Sequence, residues 1–270
     1  MKIISNLNSI KHLHLSLTII TLLSVMTLSC SSSAHETSPS RKPLIVAHRG
    51  GADLGMENSL SCIEKGIATG ADMVEIDVHL TSDGQVVVCH DPTIDRTTNG
   101  EGKIEELTLS QIRSYRLVDK NGAPSDETIP TLQEVLQLIH GRCGLLLEIK
   151  KKKDQYVGIE RKVVDLLEEY DMMSHTVIQS FNDPVLEEIH RLKHDIRIER
   201  LSFVPPRNLD KYPDVASFNT CSWFTRKAFV NRAHRHGKEV KIWTVNKLGR
   251  ASRLPADGFI TNNPELFKSR

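Results

Sequence analysis

An α/β fold, a (β/α)8 TIM barrel, is predicted by three observations on this 270-residue sequence. Short apolar runs alternate with amphipathic stretches from Pro43 onward, the runs number eight, and two of them carry acids at alternate positions near one end. A doubly wound open sheet would share the alternation, but the strand count favours the barrel.

Residues 1–30 read as an export leader, because Lys2 and Lys11 are the only charged residues before the apolar stretch "LHLSLTIITLLSVMTLSC" that ends at Cys30. That stretch is short for a bilayer anchor, which takes ~20 mostly apolar residues. "MTLSC" followed by "SSSAHETSPS" resembles a bacterial lipoprotein signal, which would associate the protein with a membrane through a lipidated Cys30. Ordinary cleavage after Ala34 is the rival, since Ser32 and Ala34 are small and suitably spaced. The expected organisation is a leader (1–30), a Ser-rich flexible tether (31–42) and a barrel (43–270). The expected location is a bacterial cell envelope, lipid-anchored or otherwise periplasmic or secreted.

The barrel strands are expected at 44–50, 73–80, 145–150, 176–181, 196–203, 215–220, 239–245 and 257–261. Tyr156, Ile159, Val163, Leu167 and Tyr170 recur at helical spacing, and "DPVLEEIHRLK" opens with an N-cap aspartate and a first-position proline. The interval from Met73 to Leu145 is far longer than any other between strands. It holds "GQVVVCHD", a strand hairpinning back after "SDG", then a turn-rich segment with one helical stretch from Thr108 to Tyr115, then the helix "TLQEVLQLIHG". Long loops in compact barrels are commonly functional, so a small cap subdomain is expected over about 93–130, between the second strand and the second helix. The last helix must be very short.

Lys and Arg number 35 against 34 Asp and Glu, a net charge of +1, and the basic residues are scattered. That excludes a nucleic-acid partner. Cys62, Cys89 and Cys143 lie in or beside apolar segments, and with Cys221 they form no CxxC pair, so neither a disulfide nor a thiolate metal site is expected.

Side chains alternate across a strand, so Glu75 and Asp77 share the face opposite Val74, Ile76, Val78 and Leu80. The acids must point into the barrel, near the strand end where barrel active sites form. "LLLEIK" repeats the pattern with Glu148 and Lys150. Three inward carboxylates make an oxygen-rich site for a divalent cation, Mg²⁺ or Ca²⁺, whereas salt bridging to basic residues is the plainer alternative. His48 in "AHRGG" and His90 in "VVVCHD" each end an apolar run, and such a pair beside a cation suits phosphoester cleavage by acid and base. Arg49 and Lys150 would hold the phosphate.

Taken together, "AHRGG", "MENS", "EIDVHLTSDGQVVVCHDPTIDRTTNG", "LEIK", "QSF", "WTVN" and "DGFITNNP" resemble the glycerophosphodiester phosphodiesterase family over residues 44–264. The resemblance implies a barrel with a small cap and hydrolysis of glycerophosphodiesters to glycerol 3-phosphate and an alcohol. It implies catalytic His48 and His90, metal ligands Glu75, Asp77 and Glu148, phosphate-binding Arg49 and Lys150, and Trp243 near the glycerol. It also implies that Glu57, with Asn58 in the same motif, stands close to the metal. Met56 and Ser59 depart from the proline and threonine usual in that motif. A lysophospholipase D-like enzyme and a non-catalytic phosphoester-binding envelope protein are the alternatives. His79 reads as a core or rim group, Lys151 to Lys153 as a solvated approach to a helix, and "HRHG" (234–237) as a helix C-terminus.

Overall fold

The computed structural model describes residues 42–152 and 155–268. The leader, Cys30, the tether up to Arg41, and Lys153 lie outside the described residues. Nine strands form one sheet: β1 (Leu44–Ala47), β2 (Met73–Leu80), β3 (Val86–Val88), β4 (Gly144–Ile149), β5 (Thr176–Ser180), β6 (Arg197–Ser202), β7 (Ser217–Cys221), β8 (Glu239–Trp243) and β9 (Gly258–Thr261). Eight are parallel, and β1 pairs with both β9 and β2, closing the barrel that the sequence predicts. The ninth, β3, turns back antiparallel on β2 with Val88 opposite Val78.

The helices are α1 (Leu60–Ala68), α2 (Leu109–Ile112), α3 (Leu132–Ile139), α4 (Ile159–Glu169), α5 (Asp183–Leu192) and α6 (Lys227–Arg235). Val74, Ile76 and Val78 are fully buried with Ile63 of α1, Leu136 of α3 and Val163 of α4. Burying such a side chain contributes about 1.5–3 kcal/mol, so this wall is the main source of stability. Helix α1 fits closely against the turn after β1. A Cβ on Gly66 would lie 2.2 Å from the Gly50 carbonyl oxygen, so only glycine permits that approach.

Several local expectations are corrected. Helix α4 starts at Ile159 rather than near Gln155, because Tyr156 and Gly158 take left-handed conformations with φ of 52° and 83°. Asn182, not Asp183, occupies the N-cap of α5; Asp183 lies in its first turn and pairs with Arg200 at 2.6 Å. Lys151 is not solvated but paired with the buried Glu160 at 2.8 Å. The helical stretch from Thr108 shrinks to one turn, closed by a Thr108–Gln111 capping box. Between β6 and β7 the chain runs as a loop, and only a 3-10 turn, Pro264–Phe267, follows β9.

Within residues 93–130, Ile94, Ile104, Ile112, Leu117 and Ile129 pack with Val87 and Cys89 in a cluster separate from the wall between barrel and helices. Antiparallel bridges Thr93–Lys103 and Thr98–Leu117 fasten the segment internally. Its ends meet at the base, where Val88 N–H donates to the Pro130 carbonyl at 2.8 Å.

Inside the barrel a small apolar cluster of Val46, Met73, Leu146 and Ile260 adjoins an extensive polar filling. Lys241 of β8 pairs with Glu199 of β6, and Asn219 of β7 donates to Glu199 at 2.9 Å and to Gln179 of β5 at 2.8 Å. Gln179 in turn donates to Glu75 at 3.2 Å, so a chain of hydrogen bonds crosses the interior. Burial opposes ionisation of Glu199, but Lys241 and Arg197 hold its carboxyl below the ordinary 4.5. Replacing Glu199 by leucine strands the buried Lys241 ammonium, and urea denaturation is expected to show a loss of about 3–5 kcal/mol. A depressed carboxyl stabilises the fold fully above its unfolded value, so this difference is complete above pH 4.5 and shrinks as pH falls through the folded value.

Candidate active site

The first barrel strand stops at Ala47, and a turn of 3-10 helix places His48 and Arg49 at its C-terminal end. Arg49 is left-handed, with φ of 51°, a conformation costly for a side chain with a Cβ. That turn aims the Arg49 N–H at Glu75 Oε2, 2.8 Å away, and brings the guanidinium to Asp77 Oδ2 at 3.8 Å. Glu57 braces the guanidinium from the far side with a 2.9 Å hydrogen bond.

Glu75, Asp77 and Glu148 converge as the alternation pattern requires, for β2 and β4 are neighbours with Asp77 opposite Glu148. Their ligand oxygens all lie within 4.8 Å of one another, and all three residues are buried. Lys150 reaches Asp77 at 3.1 Å and Glu148 at 2.8 Å, while Asn58 donates to Asp77 Oδ2 at 2.9 Å. Asp77 Oδ1 nevertheless has no aligned hydrogen bond.

The three acids differ in how readily they ionise. Burial, reinforced by Asp77 and Glu148, raises Glu75 well above its ordinary value. Burial likewise pushes Glu148 up to about 7, although Lys150 opposes the rise. For Asp77 the same burial is outweighed by Lys150, His90 and Arg49, which hold its carboxyl low. Three buried carboxylates whose oxygens converge, two of them made hard to ionise by burial, fit a hard divalent cation.

Both candidate histidines open onto one cavity of about 230 Å³, which is also lined by Arg49, Glu75, Glu148 and Lys150. His48 Nδ1 is 2.6 Å from Asn262 Oδ1, and its Nε2 lies 4.0 Å from Glu75. Burial, with help from Arg49, lowers its pKa to about 4. His90 follows β3, and its Nδ1 is 2.7 Å from Asp91. Arg96 bonds both Asp91, at 2.6 Å, and Glu57, at 2.7 Å, linking His90 to Arg49 through one run of charges. Burial lowers the His90 pKa, against the pull of Asp77.

The opposite wall of the cavity is aromatic. Trp243 donates its indole N–H to the Asn219 carbonyl at 2.8 Å, so it offers the cavity carbon rather than a donor. Phe181 and Phe203 meet it edge-on, with centroids 5.7 and 5.1 Å away. His79 stands apart from the cavity, held between the Tyr156 hydroxyl at 2.9 Å and the His90 carbonyl at 3.2 Å. The thiols of Cys62 and Cys89 are pushed up to about 12 by burial, which keeps them inert.

The six residues His48, Arg49, Glu75, His90, Glu148 and Lys150 thus line one cavity together with Trp243, while Asp77, Asn58 and Glu57 brace it from behind. Sequence reasoning passed over Asn262, Gln179, Asp91, Arg96, Phe181 and Phe203. Asn262 and Gln179 were within reach, since each lies at the C-terminal end of a barrel strand, the position that singled out His48 and Glu148. Arg96 and Asp91 lie in loop, where no periodicity marks them.

A charged, half-enclosed centre at the C-terminal end of a parallel barrel defines an enzyme, and the paired cations suit an anionic substrate. The chain belongs to the Glycerophosphoryl diester phosphodiesterase family, whose sequence profile matches residues 48–266. It is 34% identical over 234 residues to the glycerophosphodiester phosphodiesterase of Caldanaerobacter subterraneus, covering 84% of this chain and 96% of that one. A Bacillus subtilis glycerophosphodiester phosphodiesterase is 28% identical, covering 90% and 91% of the two chains. Among solved structures, an Oleispira antarctica phosphodiesterase in complex with the product sn-glycerol-3-phosphate superposes with a TM-score of 0.75 at 27% identity, covering 84% of this chain and 96% of that one.

In the metal-free protein, His48 is expected to titrate near pH 4 and to be neutral, protonated on Nδ1, at pH 7. Long-range nitrogen–proton NMR of the imidazoles checks both; a midpoint above 6 would contradict the geometry.

Proposed function

We propose that the protein hydrolyses glycerophosphodiesters to glycerol 3-phosphate and an alcohol, with His48 and His90 as base and acid beside a divalent cation, Mg²⁺ or Ca²⁺, held by Glu75, Asp77 and Glu148. The observation that carries this reading is the single cavity on which both imidazoles, Arg49 and Lys150 converge, directly over the carboxylates. The family membership and the bound product of the Oleispira neighbour support the substrate class.

Each residue then has a task. The Asn262 amide oxygen accepts from His48 Nδ1, which leaves Nε2 with its lone pair as the base. That nitrogen takes the proton of the attacking oxygen as the new O–P bond forms; the attacker is a water, or first a glycerol hydroxyl whose cyclic phosphate a water then opens with the two imidazoles exchanging roles. His90 gives a proton to the departing oxygen as the second P–O bond breaks, and the Asp91 carboxylate stabilises the imidazolium that precedes this transfer. Arg49, braced by Glu57, holds phosphoryl oxygens with its remaining N–H groups. Lys150 keeps two repelling carboxylates together and adds positive charge at the cavity wall. Glu75, Asp77 and Glu148 would hold a divalent cation, whose chemistry would be to offset the phosphate charge and make the attacking oxygen more acidic. Trp243 packs against the carbon skeleton of the glycerol.

Chelation is expected to abolish turnover of glycerophosphocholine, and Mg²⁺ or Ca²⁺ to restore it. His48→Ala and His90→Ala should each lower kcat about 10²–10⁴-fold. Full activity of either variant sinks the assignment, and any metal-dependent turnover rules out a non-catalytic phosphoester-binding role.

One observation favours a second reading, a lysophospholipase D-like enzyme. The aromatic wall does not end inside the cavity, for Phe203 is 60% exposed and could follow an acyl chain outward. Under that reading Phe203→Ser lowers the rate on lysophosphatidylcholine several-fold more than on glycerophosphocholine; equal losses on both favour the small diester. The location of the protein belongs to the same proposal: an exported enzyme lipidated at Cys30 meets such substrates at the envelope, and mass spectrometry finding an unmodified N-terminus at His35 would discard the anchor.

A further inference from the structure

Among the described residues, seven large apolar side chains are markedly exposed, and six of them share one half of the barrel mouth: Phe181, Phe203, Val204, Trp223, Phe224 and Leu248. They follow the C-terminal ends of four consecutive neighbouring strands, β5 to β8. Single exposed apolar residues need no explanation, but a contiguous set concentrated on one rim does. Trp223 is 79% exposed, although tryptophan is the costliest side chain to leave in water. Phe181 and Phe203 stack on each other at 5.2 Å and touch Trp243, so the rim is continuous with the cavity wall.

Close to the exposed residues that follow β6, β7 and β8 the charge has one sign; Asp183, next to Phe181, is paired with Arg200, and Asp210, Asp214 and Asp257 lie further along these loops. Segments 203–207, 222–227 and 246–253 contain Arg207, Arg226, Lys227, Lys247, Arg250 and Arg253 and no acidic residue, in a chain whose totals nearly balance. Arg226 bonds the Trp223 carbonyl at 2.7 Å, Arg250 the Thr225 carbonyl at 2.7 Å and Arg253 the Gly249 carbonyl at 3.1 Å. These bonds tie the apolar loops together, and among the described residues none of the six cations has an ion-pair partner. Arg226 and Lys227 also stand at the N-cap and first position of α6, where positive charge opposes the helix dipole. Local stability does not favour cations there, which points to an external partner.

We propose that this aromatic and cationic half-rim docks the barrel mouth onto an anionic phospholipid bilayer. The pattern is that of an interfacial binder: aromatic and aliphatic side chains enter the headgroup region, and flanking Lys and Arg attract the anionic surface. A protein partner would be expected to meet a more balanced set of charges. The inference stands apart from the catalytic reading, and its test does not read turnover.

The chain has two tryptophans, so Trp243→Phe leaves Trp223 as the sole emitter. With the full chain carrying that change, vesicles of phosphatidylcholine and phosphatidylglycerol are expected to shift Trp223 emission to the blue. Brominated lipids in the same vesicles should quench it. Lys227→Glu and Lys247→Glu, verified as folded by circular dichroism, should each lower the docked fraction about fivefold at low salt. Because the probe sits on the rim, attachment through the N-terminal segment alone produces no such signal. Emission unchanged by anionic vesicles overturns the proposal, and so does an equal shift on pure phosphatidylcholine. Emission already blue-shifted without lipid would assign the rim to the chain's own N-terminal segment or to a second copy, and overturns it as well.

Discussion

Three carboxylates forced into one dry corner of a barrel set the terms for much of this molecule. Glu75, Asp77 and Glu148 are within 4.8 Å of one another and nearly inaccessible to water. Repulsion at that range is tolerable only with compensating positive charge, and the chain commits two cations and the strained turn at Arg49 to it. The inner polar chain from Glu75 through Gln179 and Asn219 to Glu199 and Lys241 extends the same logic into the barrel floor. The interior therefore combines this electrostatic lattice with a small apolar cluster of Val46, Met73, Leu146 and Ile260, and the larger apolar core lies between barrel and helices.

This division explains how much could be read from sequence. Parallel strands buried on both faces usually read as unbroken apolar runs. Here the interior is polar, so β2 alternates apolar and charged residues, and a period of two exposed both the strand and its inward set. The closure of the sheet followed from strand count. What escaped were contacts that depend on loops: Asn262 behind His48, Arg96 bridging Asp91 to Glu57, and the left-handed Tyr156 that ends one side of α4 and clamps His79. Such contacts obey three-dimensional neighbourhood rather than periodicity. The N-cap of α5 was misassigned by one residue because Asn182 and Asp183 are both plausible caps, and the Arg200 partner that draws Asp183 away lies on another strand.

The two imidazoles occupy different electrostatic settings although the sequence presents them alike, each at the end of an apolar run. One leans on a neutral amide and the other on a carboxylate held in place by an arginine. The partner sets which ring nitrogen of each is engaged, an amide oxygen meeting Nδ1 of His48 and a carboxylate meeting Nδ1 of His90. Residues 93–130 supply that arginine, so their small separate core supports the polarity of the centre.

The mouth is divided along the chain as well as in space. The charged groups around the carboxylates come from residues 48–150, supported by Gln179 and the amide of Asn262, and the aromatic wall comes from Trp243 at the end of β8 and the residues that follow β5 and β6. A segment exchange or a run of substitutions after β5 to β8 can thus remodel what the enzyme leans against without disturbing a carboxylate or an imidazole. Inheritance of the reaction and diversification of the surface the substrate packs against become separable problems for natural selection, each written largely in its own part of the gene.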